Sequence, residues 1–195
     1  MTPFTYNLPT LQNFSQYVFI ENSIIFTEIA QINQYWDEQQ KQAAELEGGV
    51  ATTDEELRKT SIVGLENNEE HQWLYQRISN FALQVNNQRY FYDIRGIFEP
   101  LQLMEYSEGD FFDWHLDFGN QHSSIRKLSV TMQLSDPTDY EGGDLQFMIN
   151  KDIITAPRSK GTIIIFPSFI MHRVTPITQG KRRSIVGWVS GPPFR

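Results

Sequence analysis

His115 and Asp117 stand two residues apart, and on an extended strand such side chains share one face and can converge on a single ion. The chain has no cysteine, so disulfides, thiolate zinc sites, iron–sulfur clusters and cysteine nucleophiles are excluded, and a metal must be held by nitrogen and oxygen. His172, on a later strand or loop, completes a set of two imidazoles and one carboxylate. That set suits a ferrous ion: it occupies one face, leaves adjacent positions open for oxygen chemistry, and cancels only part of the charge. Taken alone, a His-x-Asp pair is a weak signal in a chain with four histidines, and its bland reading is a stray polar pair on a surface strand. Its context strengthens it. Arg182 follows His172 across a turn at Gly180, and Ser184 lies two further along the same strand face. A guanidinium fork with a neighbouring hydroxyl can bind a carboxylate bidentately beside a metal.

Other polar and aromatic residues read more plainly. His71 falls on a helix and His122 in a polar turn, both structural or solvated. Phe111, Phe112, Trp114 and Phe118 flank the pair and can line a groove, although strand aromatics more often pack in a core or rim. Lys181 and Arg183 alternate with Arg182 and should point away from it as solvated charges. No Ser/His/Asp or paired-acid signature is present, so no catalytic side chain is expected beyond the metal site.

Several elements must position these residues. After the plausible caps Asn22 and Ser23, the apolar spacing of Ile25, Ile29, Ile32 and Trp36 predicts a helix over 24–46. Residues 48–60 read as a long polar loop, either a lid or simply disordered. Trp73, Leu74, Ile78, Phe81, Ala82 and Val85 predict a second helix over 68–85. Short apolar or alternating runs over 97–106, 128–134, 145–149, 162–166 and 184–189 then predict strands, punctuated by Ser107-Glu-Gly-Asp, Asp136-Pro137, Glu141-Gly-Gly and Gln179-Gly180. Two helices followed by evenly spaced strands suggest a helical layer supporting an all-β sandwich or barrel, in one domain of 195 residues.

The formal charge is -8, and no Lys/Arg run exceeds 181–183, so a broad nucleic-acid-binding face is disfavoured. Neither a secretory leader nor a stretch approaching about 18 apolar residues is visible, so no membrane span is expected and the cytoplasm is the default location.

Four motifs in order carry a recognisable pattern: Tyr106-Ser-Glu-Gly-Asp-Phe-Phe-Asp-Trp-His115-Leu-Asp117; Leu134 through Glu141-Gly-Gly-Asp-Leu145; Gly161-Thr-Ile-Ile-Ile-Phe-Pro-Ser168; and His172 through Lys181-Arg182. Together they resemble the prolyl-4-hydroxylase-like, PKHD-type branch of the 2-oxoglutarate/Fe(II) dioxygenases. The resemblance covers about 98–188; the first 95 residues share only a compatible order of helices and a loop. It implies a mostly β fold with flanking α-helices: a double-stranded β-helix (jelly roll, cupin-like) core over about 96–195 with N-terminal supporting helices. It also implies that His115, Asp117 and His172 ligate Fe(II), and that Arg182 clamps the distal carboxylate of the cosubstrate 2-oxoglutarate. Tyr106 and Ser184 would add hydroxyl donors. Animal-type prolyl hydroxylases usually carry Lys where Arg182 stands and a Thr within the Gly-Gly motif, so Gly142-Gly143-Asp144-Leu145 fits the PKHD-type branch better than a collagen-type enzyme.

The expected reaction couples O2 and oxidative decarboxylation of 2-oxoglutarate, giving succinate and carbon dioxide, to hydroxylation of an unactivated C–H, with ascorbate as an optional reductant. A prolyl residue of a peptide or protein is the leading substrate. A free amino acid or other small molecule is the second, and a non-catalytic metal- or ligand-binding jelly-roll module the third. Retention of all four residues, His115, Asp117, His172 and Arg182, argues against the last.

Overall fold

The computed structural model describes residues 16–36, 42–43 and 57–194. In chain order its elements are β1 (Val18–Ile20), α1 (Phe26–Gln34), β2 (Gln42–Ala43), β3 (Arg58–Lys59), β4 (Ser61–Leu65), α2 (Gln72–Val85), β5 (Leu101–Tyr106), β6 (Phe111–His115), β7 (Arg126–Gln133), β8 (Tyr140–Gly142), β9 (Leu145–Ile149), β10 (Asp152–Thr155), β11 (Ile163–Pro167), β12 (His172–Val174), β13 (Ile177–Gly180) and β14 (Arg182–Ser190). Seven strands form an antiparallel sheet in the order β1-β11-β7-β14-β5-β4-β2. Five more form a second, in the order β10-β9-β12-β6-β3, and β13 with β8 makes a ribbon.

Strand alternation divides the large sheet between two cores. Leu101, Leu103, Leu128, Val130, Met132, Ile163, Ile165 and Ile185 point outward to Ile29 and Ile32 of α1 and to Leu74, Ile78 and Ala82 of α2. Met104, Tyr106, Ile164 and Phe166 point the other way, against Leu145, Phe147 and Val174 of the small sheet. This is the jelly-roll core flanked by helices that the sequence motifs imply. Burial of each large aliphatic side chain contributes about 1.5–3 kcal/mol, so the helical layer anchors the sheet that carries most of the site. No helix among the described residues is long and apolar enough to cross a membrane.

The helices differ from expectation at their ends. α1 starts at Phe26, because Glu28 accepts the Ile25 N–H at 3.1 Å, whereas the Ser23 hydroxyl donates to Gly161 O at 2.7 Å and does not cap the helix. It stops at Gln34; the rest of the predicted span falls mainly outside the described residues. α2 begins later than predicted, at Gln72, and runs on through a π-helical turn, Asn86–Tyr90. The turn closes on Phe91 at φ 56, where the Asn86 amide both accepts from Tyr92 N and donates to Tyr92 O at 2.9 Å. Most of the predicted 48–60 loop lies outside the described residues, but its end is edge strand β3, paired with β6.

Lys181 and Arg183 do point away from Arg182, yet they are not merely solvated: they pair with Glu105 at 3.1 and 2.7 Å. Burial raises the Glu105 pKa, but Arg183 and Lys181 outweigh it and leave the carboxyl below its ordinary value. A depressed folded-state pKa contributes stability that is present above the unfolded value and lost as pH falls through the folded one. Glu105→Gln should therefore destabilise the neutral-pH protein by about 1.5–3 kcal/mol, and the difference from wild type should vanish in acid. Urea unfolding of both proteins across that pH range checks it.

Candidate metal centre

β6 and β12 lie side by side with His115 opposite His172, so strand pairing alone brings the two imidazoles together, ring centroids 4.1 Å apart. Strand β6 ends at His115, and Asp117 sits just beyond it, its N–H donating to Ser168 O at 3.0 Å. The pair therefore converges because the chain turns out of the strand, not because both residues lie within it. Ligand atoms of His115, Asp117 and His172 all lie within 4.8 Å of one another. His172 Nε2 stands 3.4 Å from Asp117 Oδ2, and His115 Nε2 stands 3.8 Å from Asp117 Oδ1.

The surroundings prepare these groups for a cation. His115 Nδ1 lies 2.7 Å from Asp113 O, and His172 Nδ1 lies 2.9 Å from Ile170 O. A carbonyl only accepts, so each Nδ1 carries the proton, and a neutral ring then presents its Nε2 lone pair to the site. Burial, reinforced by His172 and only partly opposed by Asp117, pushes the His115 pKa down to about 3 and keeps that ring neutral. For Asp117, burial alone would raise the pKa; the adjoining His172 and His115, with the Ser129 hydroxyl, reverse this and hold it lowered. Ser129 Oγ donates to Asp117 Oδ2 at 2.6 Å. Phe112 stacks on His115, centroids 3.4 Å apart and nearly parallel. A carboxylate and two tethered imidazoles match a divalent ion of intermediate softness such as Fe(II). Ser129→Ala should weaken binding of such an ion by roughly ten- to a hundredfold, the usual effect of losing a group that orients a ligand. Titration with Mn(II), a redox-silent probe, measures it.

The triad opens into a cavity of about 770 Å³. β14 lines it with Arg182, Ser184, Val186 and Trp188, as alternation requires, and Arg182 lies opposite Tyr106 of β5. Arg182 is 1% exposed, its Nη2 donates to Gln133 Oε1 at 2.9 Å, and its Nη1 lies 3.4 Å from Ser184 Oγ. Its Nε is buried without a partner, and among the described residues no carboxylate pairs with the guanidinium. A buried cation in this state is costly until an anion enters. The paired glycines serve it directly: Gly143, at φ +63, leaves room for Arg182, whose Cδ a Cβ would approach to 3.1 Å, while a Cβ at Gly142 would collide with Pro176 O at 2.0 Å.

Of the flanking aromatics, Phe112 and Phe118 line the cavity, whereas Trp114 stacks under Arg173 at 4.5 Å and Phe111 pairs with Lys59. His122 borders the cavity mouth. His71 stands just before α2, with Nδ1 2.8 Å from Glu66 O. Ser129, Thr131 and Gln133 escaped the sequence reading, although their alternation with Leu128, Val130 and Met132 is a signal: polar residues at period two on a fully buried strand must face a polar site. Arg58 and Trp188, also in the lining, had no comparable signal.

Residues 101–190 match the profile of the 2OG-Fe(II) oxygenase superfamily. A PKHD-type hydroxylase from Synechococcus sp. (strain CC9902) is 41% identical over 81 residues, 42% of this chain and 36% of that protein. The matched segment thus spans well under half of that relative. A Trichoplax adhaerens prolyl hydroxylase, solved with a hypoxia inducible factor oxygen degradation domain peptide fragment, superposes with a TM-score of 0.75 at 17% identity, covering 90% of this chain and 83% of that one. A Pseudomonas putida prolyl-4-hydroxylase does so with a TM-score of 0.71 at 16% identity, covering 91% and 93%. At such identities the likeness establishes a shared fold.

Proposed function

We propose that this chain is a member of the 2OG-Fe(II) oxygenase superfamily, whose profile its residues 101–190 match, and an Fe(II)- and 2-oxoglutarate-dependent dioxygenase that hydroxylates a prolyl residue of a peptide or protein. One observation carries the reaction class: a two-His, one-Asp cluster and the buried guanidinium of Arg182, which has no carboxylate partner among the described residues, share a single cavity. His115, Asp117 and His172 would hold the ion, and Arg182 would hold the cosubstrate. A ferrous ion held there would supply the oxygen chemistry, coupling oxidative decarboxylation of 2-oxoglutarate to succinate and carbon dioxide with insertion of one oxygen atom into a C–H bond.

The remaining work falls to the side chains. The Arg182 fork takes the distal carboxylate bidentately, with Gln133 fixing the plane of the guanidinium and Ser184 within reach as a further donor. Tyr106 lies beside them, buried, with its ring 5.5 Å from the guanidinium carbon. Burial raises its pKa, so the phenol stays protonated and remains a hydrogen-bond donor. Phe112 and the two Nδ1 tethers prevent the imidazoles from turning, so the open side of the site faces the cavity. The prolyl substrate is supported by the likeness to the Trichoplax prolyl hydroxylase, solved with a peptide fragment.

The test is succinate formation from 2-oxoglutarate by purified protein with and without Fe(II), followed by mass spectrometry on a panel of proline-containing peptides. Iron-dependent succinate, with a peptide gaining one oxygen only when both iron and 2-oxoglutarate are present, is the expected result. Iron-dependent succinate with no peptide oxidised would move the substrate to a small molecule. No succinate, with no binding of Fe(II) or 2-oxoglutarate, would overturn the oxygenase reading.

A further inference from the structure

Arg58 is the cavity-lining cation that neither the metal site nor the cosubstrate accounts for. It comes from the edge strand β3, opposite Phe112 in register, and its guanidinium carbon sits 4.6 Å from the centroid of the Phe112 ring. Phe112 stacks in turn on His115, so a single ring joins Arg58 to a candidate metal ligand. Among the described residues Nε of Arg58 is buried without a partner, and Nη2 makes only a long hydrogen bond to Gln102 Oε1, at 3.5 Å. Its side chain lines the cavity, where desolvation lowers its pKa against the opposing charge of Asp117.

Charge balance shows what is missing. Arg126, the third guanidinium in the lining, is neutralised by Glu99, whose Oε1 lies 2.8 Å from its Nε, and stacks on Trp188 at 3.8 Å. A ferrous ion and dianionic 2-oxoglutarate, held by Asp117 and Arg182 with neutral imidazoles, add to zero. Among the described residues Arg58 is left as one partly desolvated positive charge without a carboxylate partner, on the wall beside the triad, in a cavity whose only described lining carboxylate is Asp117. Such a group is destabilising until an anion meets it and, once met, supplies a strong charge-assisted contact.

Resting on the oxygenase reading above, we propose that Arg58 is a specificity-determining residue that binds a carboxylate of the primary substrate and so orients the substrate within the cavity. The recognised group is a carboxylate close to the hydroxylated ring. It is supplied either by the α-carboxylate of a free amino acid or peptide C-terminus, or by an acidic side chain next to the target proline. An edge-strand cation on an aromatic platform suits this task. The flat ring fixes the guanidinium plane without consuming a donor, so the N–H groups on its edge remain for the ligand.

The experiment uses protein loaded with Zn(II) and saturated with N-oxalylglycine, a non-reacting 2-oxo-acid mimic, and titrates matched ligand pairs calorimetrically. One pair is Ala-Pro and Ala-Pro-amide; the other is acetyl-Pro-Asp-amide and acetyl-Pro-Asn-amide. Wild type should bind the acid of one pair at least about tenfold more tightly than its neutral partner, a difference expected of one charge-assisted contact. Which pair shows the preference identifies the source of the carboxylate. Arg58→Gln should bring that ratio close to one, and Arg58→Lys should restore part of it. The ratio is internal to each variant, so partial misfolding does not mimic the result. Equal affinity for acid and neutral partner in wild type, or an unchanged ratio in Arg58→Gln, overturns the assignment while leaving the oxygenase reading intact. A tenfold loss of N-oxalylglycine affinity in Arg58→Gln gives the guanidinium to the cosubstrate and overturns it too. Failure of the zinc-loaded wild type to bind N-oxalylglycine overturns both.

Discussion

Replacing His172 by alanine will reduce iron-dependent succinate formation to background, with Fe(II) affinity falling by more than roughly a hundredfold. The expectation follows from geometry. His172 is buried, opposes His115 across a strand pair, and brings Nε2 within 3.4 Å of the Asp117 carboxylate. Its removal leaves one imidazole and one carboxylate, too few to hold a labile divalent ion in a fixed orientation. The fold should survive, because the change removes a ring and not a strand: Arg173 and Val174 keep their register with β9. Equilibrium dialysis with Fe(II) under anaerobic conditions and a succinate assay, beside circular dichroism, separate lost chemistry from lost structure. Retained iron affinity in the variant would mean that the metal is held elsewhere.

Arg182→Ala should act on the other half of the site. Truncating one partner of a buried, hydrogen-bonded ion pair costs about 3–5 kcal/mol, which raises the 2-oxoglutarate KM by roughly 10²- to 10⁴-fold. Metal affinity should change little, since none of the ligand atoms touches the guanidinium. Arg182→Lys should fall between, keeping the charge while losing the fork that Gln133 orients. Wild type should gain thermal stability on binding N-oxalylglycine and the alanine variant should not. A normal KM in Arg182→Ala would remove this residue from cosubstrate binding.

The clustering of His115, Asp117 and His172 beside a guanidinium was legible in the sequence because it depends on residue type and short spacing. His115 and Asp117 are close along the chain, Arg182 and Ser184 share one face of a single strand, and the glycines sit where Arg182 needs room. The strands over 145–149 and 184–189 were legible too, since their apolar alternation is strong. What stayed hidden depends on long-range pairing. Arg58 lies in a stretch without periodicity and becomes part of the cavity only because β3 pairs with β6 across a large sequence separation. Glu105 looked like any strand carboxylate until Lys181 and Arg183 were brought alongside by the pairing of β14 with β5. Short strands such as β8, β12 and β13 carry too few residues to show a period at all. The start of α1 was misread because Ser23, a good cap by type, is engaged by Gly161 from a distant turn.

β7 carries two interleaved sets of residues, Leu128, Val130 and Met132 against the helices and Ser129, Thr131 and Gln133 toward the reactive cavity. From Leu128 to Gln133, selection acting on this strand is therefore split by parity. Substitutions at Leu128, Val130 and Met132 would be filtered by how much folded protein a cell accumulates, and those at Ser129 and Gln133 by what that protein does once folded. In a saturation library sorted separately for abundance and for turnover, this strand should show the two phenotypes alternating residue by residue. New chemistry could then be explored at the odd positions with little cost to the scaffold.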